Sequence, residues 1–144
     1  MIMDKNKQVL DGIRKTVQMG QSGIHSVMNA ATRDDLRKAL KSQLTEYAKI
    51  DQEAAQLQKH HGWKHSKISP AVEKMSSAMA KMQLKFGDAN SKIAGMMIQG
   101  NTRGMILGYK NRNKASYLEP QIRELSQTLL DTEMANISQM KPYL

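Results

Sequence analysis

Cysteine is absent from the 144-residue chain. Disulfides, thiolate metal sites and cysteine nucleophiles are therefore excluded. Aromatics are few: Tyr47, Trp63, Phe86, Tyr109, Tyr117 and Tyr143. Runs of β-branched residues are missing too, which argues against strands. No stretch approaches the roughly 18 apolar residues of a membrane span, so no membrane insertion is expected. The opening Met1-Ile2-Met3-Asp4-Lys5 holds no apolar run of a secretory leader. Together these absences lead us to expect a cytoplasmic protein. No nucleophile elbow, phosphate loop or dinucleotide-binding glycine motif occurs.

What is present is helical. The length fits one domain with its own core. Twelve methionines suit a helical core, because the side chain is flexible and polarizable. Leu10, Ile13, Val17, Gly20, Ile24 and Met28 step by three and four, which predicts a helix over 4–29. Leu36, Leu40, Leu44, Tyr47, Ile50, Ala54 and Leu57 predict a second over 33–61, with Thr32 as its N-cap and Gly62 as its left-handed stop. A third is expected as two pieces, 70–86 and 91–113. Ser69-Pro70 would open the first piece. Gly87 through Ser91 would interrupt the segment, with Asp88, Asn90 or Ser91 capping the second piece. Unbroken, that segment would run about 65 Å and overhang its neighbours by about 20 Å. The fourth is predicted over 117–141, opened by a Ser116–Glu119 capping box and stopped by Pro142. The expected fold class is all-α: an antiparallel four-helix bundle in one domain, with sequential helices as neighbours.

The formal net charge is +9. Lys and Arg exceed Asp and Glu by four in residues 1–50, three in 51–100 and two in 101–144. That even spread reads as a solvated basic surface. A nucleic-acid binder usually concentrates its positive charge, so binding to nucleic acid or an anionic surface is only an alternative. Gly100, Gly104 and Gly108 recur every four residues, each costing about 1 kcal/mol against alanine in a helix interior. The ladder is expected to let another helix approach closely, within the bundle or across a homodimer interface. Ile93, Met96, Met97, Ile98, Met105, Ile106 and Leu107 make the same segment apolar on several sides.

Met96-Met97-Ile98-Gln99-Gly100-Asn101-Thr102-Arg103-Gly104 resembles a segment of small, uncharacterised, ferritin-like bacterial proteins. So does the stretch Leu129-Leu130-Asp131-Thr132-Glu133, continued by Asn136-Ile137 and Met140-Lys141-Pro142-Tyr143-Leu144. The resemblance covers most of the chain and implies a ferritin-like bundle, without a known activity.

A ferritin-like di-iron site takes Glu from two helices and Glu-x-x-His from the other two. Glu133 sits on the apolar stripe of the fourth segment, but Asn136 stands at the histidine spacing. Glu46 is followed at that spacing by Lys49, and Asp51 lies nearer the stripe centre. No glutamate occurs in the first segment, where Asp11 points off the stripe, and no acid occurs between Asp88 and Glu119. The set is incomplete. We expect Glu133 and Asp51 to form an inward polar pair, satisfied by Asn136, Tyr47 or water. His60, His61 and His65, beside Trp63, are candidate ligands for a divalent transition metal, though Lys59, Lys64 and Lys67 oppose a cation. Trp63 could also stack on a nucleic-acid base. His25 stands alone. No cofactor and no catalytic residue is expected. The leading expectation is a non-enzymatic interaction or assembly protein. The alternative is a metal-binding or stress-related ferritin-like protein.

Overall fold

A computed structural model describes residues 4–66 and 87–144. Among these residues four long helices pack together and no strand occurs. They are α1 (Asp4–Val27), α2 (Asp34–His61), α3 (Ala89–Lys114) and α4 (Pro120–Met140). Short 3-10 turns follow α1 at Met28–Ala30 and α4 at Lys141–Tyr143. The expected piece 70–86 lies outside the described residues. The piece after it begins at Ala89, where the Asp88 carboxylate accepts from the backbone N–H of Asn90 and Ser91.

Two other helix starts differ from expectation. Thr32 does not cap α2; its hydroxyl accepts from Asn90 Nδ2 at 2.7 Å and so ties the start of α3 to the end of α1. Arg33 holds the N-cap position without a side-chain capping bond, and Asp34 and Asp35 lend their charge to the positive helix end. Nor does a Ser116–Glu119 box open α4. Glu119 is the N-cap residue and Pro120 follows it. The Glu119 N–H donates instead to Asn6 Oδ1 at 2.8 Å, while Asn6 Nδ2 donates to the Tyr117 carbonyl at 3.3 Å. A residue on α1 thus opens α4. Gly62 does end α2 with φ of 70°, a left-handed turn that costs glycine little.

The broad interfaces are α1–α2, α3–α4, α1–α3 and α2–α4, with a narrower strip between α1 and α4. Sequential helices are therefore neighbours at α1–α2 and α3–α4, but among the described residues α2 and α3 share no broad interface. Leu10, Val17 and Ile24 from α1 meet Leu36 and Leu40 of α2, Ile93 of α3 and Ile122 and Met140 of α4 in one core. Burying each such side chain contributes about 1.5–3 kcal/mol. The methionines divide: Met97 and Met140 are buried, whereas Met19 and Met134 are exposed.

Candidate functional site

The most unusual surroundings lie at the centre of the bundle. Tyr47 from α2, Asn101 from α3 and Glu133 and Asn136 from α4 are all buried there. Tyr47 Oη donates to Asn101 Oδ1 at 2.8 Å. Asn136 Nδ2 donates to that oxygen at 3.2 Å and to Tyr47 Oη at 3.3 Å. Asn101 Nδ2 donates to the Met97 carbonyl, one turn back, at 2.7 Å. Three helices are joined by one small polar knot.

Glu133 sits beside the knot, 1% exposed, and its Oε2 has no hydrogen-bond partner among the described residues. Burial favours the uncharged form and pushes its carboxyl up to about 8. At neutral pH the group is therefore mostly protonated. Tyr47 is pushed up to about 12, first by burial, then by the nearby Glu133, with the Asn136 bond acting in the opposite sense.

Two glycines make room for these groups. A Cβ on Gly104 would overlap the Glu133 carboxyl, with Cδ at only 2.9 Å. A Cβ on Gly20 would stand 2.6 Å from Tyr47 Cε2. The glycine ladder on α3 is divided in use. Gly104 faces Glu133, Gly108 faces Leu130, and the open position is Gly100, with nothing within 4 Å of its missing Cβ. The fit of Gly104 to Glu133 was not read from sequence, because spacing shows which residues share a face but not what that face meets.

Asp51 does not join Glu133, and the expected inward pair does not form. Asp51 lies on the α1–α2 flank, where Arg14 Nε donates to its Oδ1 at 2.8 Å and Nη2 to its Oδ2 at 3.4 Å. Arg14 Nη1 also donates to Gln58 Oε1 at 3.0 Å. Asn136 and Tyr47 bond Asn101 and each other rather than Glu133. Glu46 is exposed, with Lys49 at 3.9 Å.

The histidines separate into two settings. His65 turns back onto α1, with Nδ1 at 2.7 Å from Asp11 Oδ1 and Nε2 at 3.1 Å from Gln18 Oε1. The Ser66 N–H donates to the same Asp11 oxygen at 2.9 Å. Burial raises the Asp11 carboxyl, but Ser66, His65 and Lys15 together hold it below its usual range. His61 instead stacks on Trp63, with centroids 4.1 Å apart, and reaches Glu119 at 2.8 Å. His60 meets His61 edge-on at 5.5 Å. The bond between His65 and Asp11 spans 54 positions, and no local pattern announces it.

Chemically, the centre offers one neutral carboxyl, one phenol and two amides. A two-metal clamp needs several carboxylates, and the residues present do not fit one. Among the described residues no three His, Cys, Asp or Glu side chains gather as metal ligands would.

No protein-family model matches the chain, and no curated protein matches it. Among solved structures it is similar to one described as "YcfI, a putative structural protein from Rhodopseudomonas palustris", with 17% identity and a TM-score of 0.61. The match covers 94% of this chain and 92% of that one. The likeness is one of fold. It extends over nearly the whole of both chains. Among the described residues no helix is long and apolar enough to cross a membrane.

Proposed function

We propose that this chain is a non-enzymatic interaction and assembly module, built as a ferritin-like bundle whose centre has lost the di-iron ligand set. In this reading α1 and α4 run one way while α2 and α3 run the other. Support comes from the residue pairs, which descend on one helix as they ascend on its neighbour: Arg14 with Gln58 and Gly20 with Tyr47, Gly12 with Asn111 and Gly23 with Met97, Gly104 with Glu133 and Gly108 with Leu130. The neighbour described as a structural protein agrees with a role without catalysis.

The observation that carries the reading is the outer side of α3. Ile106, Leu107 and Tyr109 are 52%, 49% and 44% exposed on one helix. Single exposed apolar residues are ordinary, but three close together point to a contact surface. Elemental analysis of protein purified without a histidine tag tests the absence of metal chemistry. Less than about one tenth of a metal per chain is expected, against the two metals of a full di-iron site. Stoichiometric iron, zinc or copper overturns the reading.

A homodimer through this face is the second form of the proposal, favoured by the open backbone at Gly100. Light scattering on the eluting protein checks it. A dimer split by Gly100→Leu and by Ile106→Ser supports this form; a monomer removes it.

A further inference from the structure

The even charge along the sequence conceals an uneven charge over the helices. α1, α2 and α4 each mix acids with bases, whereas α3 carries Lys92, Arg103, Lys110, Arg112 and Lys114 and no acid. Arg112 is half-buried and donates to Gln127 of α4. Arg103, Lys110 and Lys114 are exposed, and none has an acidic partner among the described residues. At about 100° per residue these three fall in one row along the outside of the helix, spanning about 16 Å. The same turn places Ile106 on one side of the row, with Tyr109 beyond it, and Leu107 on the other.

We propose that this face docks an acidic amphipathic helix of another protein, whose carboxylates lie along the Arg103–Lys110–Lys114 row while its apolar side chains cover Ile106 and Leu107. The inference rests on the reading of α3 as a contact surface and names the partner's chemistry. On charge the acidic helix suits the row better than a second copy, whose two-fold contact would set like charge on like. Nucleic acid would match the charge but leave Ile106 and Leu107 without an apolar counterpart. A membrane-surface helix keeps its apolar residues in the centre and its cations at the edges. Here the cations are central and the apolar side chains flank them. One helix face buries little area, so the contact is of the weak, exchanging kind.

The test uses the full chain and a synthetic helical peptide of about five turns, with one row of glutamates between two rows of leucines. A scrambled peptide of the same composition, anionic phospholipid vesicles and a short DNA duplex are compared with it. The ordered peptide is expected to bind best, by about tenfold or more over its scrambled form, with weakening at rising salt. Lys110→Glu and Ile106→Ser should each reduce binding by about tenfold, with helical content unchanged because both side chains are exposed. Equal binding of the scrambled peptide, or tighter binding to vesicles or duplex, overturns the inference. If no probe binds but light scattering finds a dimer broken by Ile106→Ser, the acidic partner falls and the contact surface stands. If no probe binds and the chain is a monomer, both fall.

Discussion

Glu133 and Asp51 are both carboxylates turned toward a neighbouring helix, and they end in different company. Asp51 has Arg14 within reach across the α1–α2 seam and stays an ion-pair partner, with its side chain 22% exposed. Glu133 has no cation beside it among the described residues; it meets the bare backbone of Gly104 and an oxygen-rich knot. One acid is paired with a guanidinium, the other is made neutral by isolation. The difference lies in the neighbouring helix, since α1 brings a guanidinium to Asp51 and α3 brings only a glycine to Glu133. A buried carboxyl without a charge partner is an energetic liability that grows with pH.

The largest expected effect tests that liability. The Glu133 carboxyl has a folded value of about 8 against an ordinary 4.5, so the folded state holds its proton more tightly. Its stabilising share is complete below the ordinary value and is lost as pH rises toward the folded one. Each unit is worth about 1.4 kcal/mol, giving about 4–5 kcal/mol over the whole window. Urea unfolding followed by circular dichroism at pH 5 and pH 9 should show most of this fall, about 4 kcal/mol, in the natural chain. Glu133→Gln should show little of it; a variant that falls equally assigns the loss to other groups.

A somewhat smaller effect sharpens the geometry. Gly104→Ala should cost about 2–3 kcal/mol through overpacking, despite alanine's better helix propensity. Pairing it with Glu133→Ala should recover part of that loss, because the overlapping atoms are gone; additive losses would mean that Gly104 serves something other than Glu133. The smallest effect belongs to the paired acid. Asp51→Asn should cost about 1 kcal/mol at neutral pH, weakened further by salt because the pair is partly exposed. Asp11, held low by Ser66 and His65, contributes stability above its ordinary value that disappears as pH falls through the folded one. Asp11→Asn should therefore flatten the acid side of the profile and leave the alkaline side untouched.

Much of the architecture was legible because helix pitch is a local property. Leu36, Leu40 and Ile50 alternate at the right spacing, and all three are buried. Gly62, and Asp88 as one of three candidate caps with Asn90 and Ser91, were readable for the same reason, since a left-handed stop and an N-cap are decided within a few residues. The misread features depend on distant partners. Thr32 was spent on Asn90, 58 positions away, and the cap of α4 came from Asn6, 113 positions before Glu119. The centre shows the same divide. Glu133 and Asn136 could be placed on an apolar stripe, but nothing in their own helix told which neighbour would bring a charge and which a glycine. The absence of acids between Asp88 and Glu119 was legible, but the outward row its cations make depends on how α3 turns against its neighbours.

Through its two hydrogen bonds Asn6 fastens the opening of α1 to the opening of α4. The opening turn of the chain waits for the final helix to arrive before its amide finds a use, and that helix waits for the opening turn before its first exposed donor is covered. Neither helix start can settle alone, so the two starts should fray and heal together. Deleting the first six residues would be felt first at the opening of α4.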